Sequence, residues 1–92
     1  MEAYPCLTHA VSVILKKLRE DAGLSKRKLA MNSGIDRVYL LQVEQGKYRP
    51  TLNFIFHLAG ALNIPAAKLV DLIEKEQKSC MKKARSQEGS GE

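Results

Sequence analysis

Residues 24–46, LSKRKLAMNSGIDRVYLLQVEQG, decide the fold of this chain. Their first half has the pattern of a short helix, because Ser25 is a residue type that caps helix N termini and Leu29 and Ala30 lie on one apolar face. Gly34 is expected to end this helix, since glycine adopts the left-handed conformation of a helix C terminus without a Cβ clash. The first half therefore predicts a helix that starts at Ser25 and stops before Gly34.

A second helix is predicted directly after the turn. Asp36 can cap its N terminus, where the negative charge suits the positive end of the helix dipole. Leu40 and Val43 continue an inward-facing stripe, and Gly46 ends the helix. A helix, a short turn with glycine and a second helix form the helix-turn-helix pattern.

Three further helices are predicted around this pair. The first runs from near Thr8 to about Ala22, and Gly23 stops it. Thr51 caps the fourth helix, and Pro65 opens the fifth. The apolar positions expected in the core of the first and fourth helices are Val11, Ile14, Leu15, Leu18, Leu52, Ile55, Leu58, Ala59 and Leu62. Leu69, Leu72 and Ile73 form the apolar face of the fifth helix, which either caps the core alone or in part meets the same helix of a second subunit. The sequence thus predicts a compact all-α fold of five helices, in which helices 2 and 3 form the helix-turn-helix.

The chain divides into an arm, a domain and a tail. Residues 1–7 contain a proline and no periodicity, so they are predicted to form an N-terminal arm. Residues 8–77 carry all five helices and form the domain. Residues 78–92 are polar and end in SQEGSGE, which predicts a disordered tail.

The length and charge of the chain favour a small domain with a polyanionic partner. A chain of 92 residues supports one hydrophobic core, so dimerisation is a plausible supplement to its stability. Residues 16–49 hold nine basic and four acidic residues, a balance of +5 that equals the net charge of the whole chain. Such a cluster favours nucleic acid, although a solvated charged surface is the alternative.

The apolar segments and the N terminus indicate the expected cellular compartment, which in turn predicts the oxidation state of the cysteines. No apolar run is long enough to span a bilayer, and residues 1–6 do not have the basic start of a signal peptide, so a cytoplasmic protein is expected. Cys6 and Cys80 are accordingly predicted to be two reduced thiols. Cys6 and His9 have the spacing of half a metal site, but no second pair completes it. Neither a metal nor another cofactor is expected.

The first turn of the second helix carries Lys26, Arg27 and Lys28, whose charges oppose the helix dipole. A DNA phosphate docked at this N terminus would turn the three penalties into favourable contacts. The alternative is that the flexible side chains extend into water at little cost. The full set predicted to bind phosphates is Ser25, Lys26, Arg27, Lys28, Tyr39, Lys47 and Arg49. For Tyr39 and Tyr48, packing at the edge of the domain is an open alternative.

The third helix is the candidate reading helix. If Leu40 and Val43 face inward, the outward positions are those of Arg37, Val38, Leu41 and Gln42. Arginine pairs with guanine, glutamine pairs with adenine, and an apolar side chain can meet a thymine methyl group, so this set suits the major groove. A salt bridge within the domain is the alternative for Arg37.

Several short motifs, in order and correctly spaced, resemble the lambda-repressor-like DNA-binding domains of the XRE regulator family over roughly residues 11–74. The matching pieces are Leu18-Arg19, Leu24-Ser25, Leu29-Ala30, Ser33-Gly34-Ile35, Tyr39-Leu40, Glu44, Gly46, Pro50, Leu58-Ala59, Ala61-Leu62 and Leu69. Within the family, the start of the third helix, Asp-Arg-x-Tyr, is similar to that of restriction-modification controller proteins. The chain departs from the family at Lys26, where glutamine is common, and at Leu41, where a small polar residue is common.

The resemblance implies a five-helix fold that binds pseudopalindromic operators as a dimer through its last helices. It places Phe54, Leu69, Leu72 and Ile73 in the dimer interface, and it pairs Arg19 with Glu44 inside the fold. Phe54 and Phe56 also lie off the apolar stripe of the fourth helix, which suggests that one of them packs against another element or a partner.

Two functions follow from these observations. The first is a sequence-specific regulator of transcription that binds double-stranded DNA, with no membrane or small-molecule partner. The alternative is a protein-interaction module such as the antitoxin of a toxin-antitoxin pair. An enzyme is not expected, because no serine, cysteine or carboxylate is placed to work with His57 as a base.

Overall fold

The computed structural model of the chain describes residues 2–90, with the side chains of residues 2–84. Within residues 2–90 the chain forms five helices and no strand. The helices are α1 (Leu7–Asp21), α2 (Lys26–Ser33), α3 (Arg37–Glu44), α4 (Leu52–Ala61) and α5 (Ala66–Ser90). The predicted all-α fold, with α2 and α3 as the helix-turn-helix, is confirmed.

Side-chain caps begin three of the helices. Ser25, Asp36 and Thr51 each accept a hydrogen bond from the backbone N–H three residues later, at 3.0 or 3.1 Å. Each cap satisfies an otherwise unpaired amide and stabilises its helix by about 1 kcal/mol. Gly34 ends α2 with φ +73°, a conformation that only glycine adopts freely. The predicted starts of these helices and the turn between α2 and α3 are confirmed.

The core draws on all five helices. α1 packs most extensively on α5 and also on α3, while α4 packs on α5 and α2. The largest fully buried side chains are Leu15, Leu29, Leu40, Val43, Leu58 and Leu69. Since every helix contributes at least one of them, the two short helices α2 and α3 are held by tertiary packing and not by their own length.

The turn between α4 and α5 is sharp. Asn63 has φ +57° and Pro65 directly precedes α5.

In the part of the chain that the structure describes, no single helix has the length and apolar character needed to cross a bilayer. By length and composition alone, only α4 taken together with Ala66–Ala84 qualifies, and these two segments are bent by 110°.

Helix α5 is much longer than predicted. It runs to Ser90, so the prediction of a disordered tail is wrong for residues 78–90, while residues 91 and 92 lie outside the described residues. The physical reason is composition: Lys, Glu, Gln, Met, Ala and Arg are good helix formers. Lys75 also pairs with Asp71 one turn earlier, at 3.0 Å, and lowers the pKa of that carboxyl group. The polar segment from residue 78 to residue 90 therefore forms a helix.

Four apolar side chains lie in places that differ from the prediction. Leu52, predicted to be in the core, is 68% exposed, because it stands at the first position of α4, where the helix leaves the core. Phe54, Leu69 and Ile73, predicted to contact a partner, are buried within the chain. They have almost no surface left for a second molecule, so the predicted interface is wrong for these three residues. Leu72 is half-buried, and its contact stays a prediction.

The two cysteines are not free thiols. Cys6 and Cys80 form a disulfide, with their Cα atoms 6.1 Å apart, which corrects the prediction of two reduced thiols. The packing of α1 along α5 brings the two ends of the chain together, and no pattern in the sequence indicates this pairing. Beside the bond, the amide Nε2 of Gln77 donates a hydrogen bond to the carbonyl oxygen of Pro5 at 3.1 Å.

Candidate nucleic-acid interface

The N terminus of α2 presents a cluster of exposed cations. Lys26, Arg27 and Lys28 occupy its first turn, which holds no acidic residue, and all three are exposed. Among the described side chains, none of the three takes part in an ion pair. The Ser25 hydroxyl accepts the N–H of Lys28 and keeps its own proton for donation. This turn therefore offers positive charge and a hydroxyl donor to an anion.

Helix α3 presents the predicted reading residues unevenly. Arg37 and Val38 are exposed, whereas Leu41 and Gln42 are half-buried. The salt bridge considered for Arg37 is not present among the side chains of residues 2–84. Of the predicted reading residues, the two in the first turn of α3 are thus the more exposed. Part of the surface of Leu41 is covered by the domain, which explains an apolar residue at this outward position.

Arg19 fixes α3 relative to the rest of the domain. Its Nε and Nη2 atoms donate to the two carboxylate oxygens of Glu44 at 3.0 and 2.8 Å, and its Nη1 atom donates to the carbonyl oxygen of Leu24 at 2.8 Å. The hydrogen bonds to Glu44 raise the pKa of the guanidinium group above its ordinary value. One buried side chain therefore connects α1, the end of α3 and the turn before α2. The pairing implied by the family resemblance is present.

Tyr39 supports the loop that follows α3. Its ring stacks on Tyr48, with centroids 6.1 Å apart, and meets Phe54 edge-on at 5.4 Å. Its hydroxyl donates a long hydrogen bond of 3.4 Å to the carbonyl oxygen of Arg49. The ring of Tyr39 therefore packs in the free chain, and the contact of its hydroxyl with a phosphate stays a prediction. Lys47 is exposed in the same loop, as is the side chain of Arg49.

Two polar residues beside the start of α3 were not predicted. Asn53 and His57 line a surface groove of about 410 Å³ together with Asp36 and Tyr39. They lie one turn apart on α4 and are both exposed. The signal in the sequence was their four-residue spacing on the polar side of α4. No group of three or more metal-ligating side chains occurs within the described residues.

Comparison with known proteins decides the family. The profile of the helix-turn-helix family HTH_3 matches residues 15–69, more than half of the chain, and this span includes α2, α3 and the loop after α3. The chain belongs to this helix-turn-helix family. The match confirms the predicted resemblance to this family.

Individual relatives agree with this assignment. The immunity repressor protein of Bacillus phage phi105 is 33% identical over 66 residues, which cover 68% of this chain and 46% of the repressor. The crystal structure of the restriction-modification controller protein C.AhdI from Aeromonas hydrophila has 40% identity and a TM-score of 0.62, over 65% of this chain and 91% of that protein. The chain spans less than half the length of the first curated relatives it matches.

A second similar structure contains DNA. It is the tetramer of the controller protein C.Esp1396I in complex with its natural 35-base-pair operator. It has 25% identity and a TM-score of 0.71, over 82% of this chain and 96% of that protein.

Proposed function

We propose that this chain is a sequence-specific regulator of transcription that binds a pseudopalindromic operator as a dimer. The observation that carries the proposal is the set of exposed cations at the start of α2 and of α3, which form no ion pair with the described side chains, on a helix-turn-helix that Arg19 holds in place. The similarity to a controller protein crystallised with its operator supports double-stranded DNA as the partner.

In this proposal the phosphates are held by two segments. The first is the start of α2, and the second is the loop after α3, whose position Tyr39 supports. Cations and hydroxyl groups of this kind set the register of a protein on the duplex without reading its sequence. The proposed phosphate-binding residues are Ser25, Lys26, Arg27, Lys28, Lys47 and Arg49, with Asn53 and His57 added from the groove beside α3.

The bases are read by the outward face of α3. Arg37 is the main candidate, because it is exposed, carries no ion pair among residues 2–84 and can pair with O6 and N7 of guanine. Val38 would meet a thymine methyl group, and Gln42 would pair with adenine. Leu41 adds an apolar contact with the part of its surface that is exposed.

Removal of the three cations of α2 is expected to weaken DNA binding in a salt-dependent manner. In the variant Lys26→Ala/Arg27→Ala/Lys28→Ala, the slope of log K against log salt should become shallower by about 0.9 for each phosphate that the variant no longer neutralises. Fluorescence anisotropy of a labelled duplex, recorded between about 50 and 200 mM salt, measures this slope. Over this range, DNA binding through several phosphates weakens about 10³-fold or more.

The matched control removes charge elsewhere. Lys82→Ala/Lys83→Ala takes two exposed cations from the far part of α5 and should leave the slope almost unchanged. Equal slopes for the α2 variant and the wild-type protein would exclude α2 from phosphate binding.

The dimer surface is proposed to lie beside the residues first predicted for it. Leu52 and Phe56 stand one turn apart on α4 and are 68% and 60% exposed, and Val70 of α5 is 46% exposed. Leu52 and Val70 line one apolar groove of about 220 Å³ between α1, α4 and α5. A second copy of the chain would cover these side chains and so complement the small core.

Polar substitution on this surface is expected to produce a monomer that still folds. Leu52→Ser/Phe56→Ser should shift the protein from dimer to monomer in sedimentation velocity at tens of micromolar. Met31→Ser is the matched control, because Met31 is equally exposed but lies on α2, outside the surface proposed on α4 and α5. A wild-type protein that is monomeric at this concentration would contradict the dimer and would favour the interaction-module alternative for this surface.

A further inference from the structure

The disulfide between Cys6 and Cys80 joins the residue before α1 to the second half of α5. Both cysteines are half-buried, so a small thiol can approach the bond. We propose that this disulfide is a reversible modification site, and that its reduction loosens the start of α1 and weakens dimerisation. The regulatory part rests on the dimer proposed above.

The bond lies where α5 has left the core. Among the described side chains of α5, the last in the core is that of Ile73 and the last that is buried is that of Gln77. Residues 78–84 are exposed or half-buried. The disulfide and the hydrogen bond from Gln77 to Pro5 attach the N-terminal arm to this part of α5, which the exposed Tyr4 also borders. Reduction removes the covalent attachment, and the neutral hydrogen bond that stays contributes little net stability.

The backbone conformation of Cys6 favours a change of conformation once the disulfide is reduced. It has φ +62°, in the left-handed region, and it provides no side-chain cap to α1. A residue other than glycine stays in this region only where the surrounding structure holds it there. When the disulfide opens, Cys6 can return to an extended conformation, and the first turn of α1 keeps only the partial packing of Leu7 on the core and its own hydrogen bonds.

This first turn borders the proposed dimer surface. Leu7 and Thr8, which follow Cys6 directly, line the same groove as Leu52 and Val70. A second copy that docks on this groove would therefore contact a wall that is covalently held in the disulfide form and less constrained in the reduced form. Association must then order the wall again, and ordering of side chains and segments on binding lowers affinity.

A dithiol can serve as the reductant, and it reduces the disulfide by thiol–disulfide exchange. A thiolate of the dithiol attacks one sulfur of the Cys6–Cys80 bond, that bond breaks, and a mixed disulfide forms. The second thiolate of the dithiol attacks the mixed disulfide and releases the protein. Two electrons pass from the dithiol, which becomes a disulfide, to the protein sulfurs, which take up two protons as two thiols. Oxidised glutathione, a disulfide oxidant, reverses the reaction.

The experiment uses the full chain, purified without reductant and compared before and after treatment with dithiothreitol. Alkylation and mass spectrometry count the thiols, and hydrogen exchange follows residues 2–10 and 74–84. We expect no alkylated thiol before reduction and two after it, restored to none by oxidised glutathione. We also expect faster exchange in both segments and a dimer dissociation constant raised about tenfold, which is the effect of re-ordering one or two side chains on association.

Two variants make the test specific. Cys6→Ser/Cys80→Ser should behave like the reduced wild-type protein and should not respond to dithiothreitol, whereas Ser79→Ala should respond like the wild-type protein. Two free thiols that oxidised glutathione cannot join, or identical hydrogen exchange in the two states, would overturn the modification site. An unchanged dimer constant would overturn its effect on assembly. A monomeric disulfide form would instead contradict the dimer of the proposed function, while the exchange rates would still decide the modification site.

Discussion

Arg19→Ala is expected to lower the free energy of unfolding by about 3–5 kcal/mol, the typical loss when one partner of a buried ion pair is removed. The side chains of Arg19 and Glu44 are only 11% and 5% exposed. Without the guanidinium group, the carboxylate of Glu44 stays buried without its counter-charge, and the carbonyl oxygen of Leu24 loses its donor. Urea unfolding followed by circular dichroism measures the loss.

Two further variants separate this effect from a general loss of charge. Glu20 approaches Arg19 only at 3.9 Å and is 55% exposed, so Glu20→Ala should change the stability by less than about 1 kcal/mol. The double variant Arg19→Met/Glu44→Leu removes both charges and should recover most of the stability. If the free energy of unfolding of Arg19→Ala differs from that of the wild-type protein by less than about 1 kcal/mol, the ion pair does not hold α3 in place.

Arg37→Ala is expected to lose roughly 1–3 kcal/mol of DNA-binding free energy and to relax the preference at one base position. The reason is that a bidentate contact of arginine with guanine supplies both affinity and discrimination. The side chain is exposed at the first position of α3, so its removal should leave the fold intact. Anisotropy titrations on a set of duplexes that differ at single base pairs measure both changes.

Arg37→Lys is the informative control. Lysine keeps the charge but lacks the planar pair of donors, so this variant should lose discrimination at the same base position while keeping the salt dependence of the wild-type protein. An unchanged base preference in Arg37→Ala would remove Arg37 from the reading role, even if the affinity fell.

Features that depend on neighbouring residues could be predicted from the sequence. Ser25, Asp36 and Thr51 cap helices because each hydroxyl or carboxylate reaches a backbone amide three residues away. Gly34 ends α2 because only glycine adopts its φ of +73° freely. Such rules need no knowledge of the remaining fold. They predict the helix-turn-helix and the first turns that carry the candidate DNA contacts.

Features that depend on how helices pack could not be predicted in the same way. The apolar stripe of α4 includes Leu52, yet this side chain is exposed because α4 enters the core only after its first residue. Phe54 lies four residues before Leu58 on the buried face of α4, and Tyr39 of α3 meets its ring. That four-residue spacing was a signal in the sequence, whereas Phe56 shares its face with the exposed Leu52. The aromatic partner of Phe54, on another helix, could not be predicted from periodicity.

The disulfide is the clearest case of a long-range feature. Cys6 and Cys80 are separated by 74 residues, and their meeting depends on the direction in which α1 packs along α5.

The extension of α5 was missed for another reason. The low hydrophobicity of this charged run predicts a disordered tail, but most of its residue types are also good helix formers, and their helix propensity decides the outcome here.

The most direct test of the central claim is selection of bound duplexes from a random pool of DNA by the wild-type protein. If α3 reads bases as part of a dimer, the selected sequences should share two inverted half-sites whose centres are about 10 base pairs apart, one turn of the duplex. Selection of no common sequence from the pool, with binding that depends on salt alone, would contradict the reading role of α3.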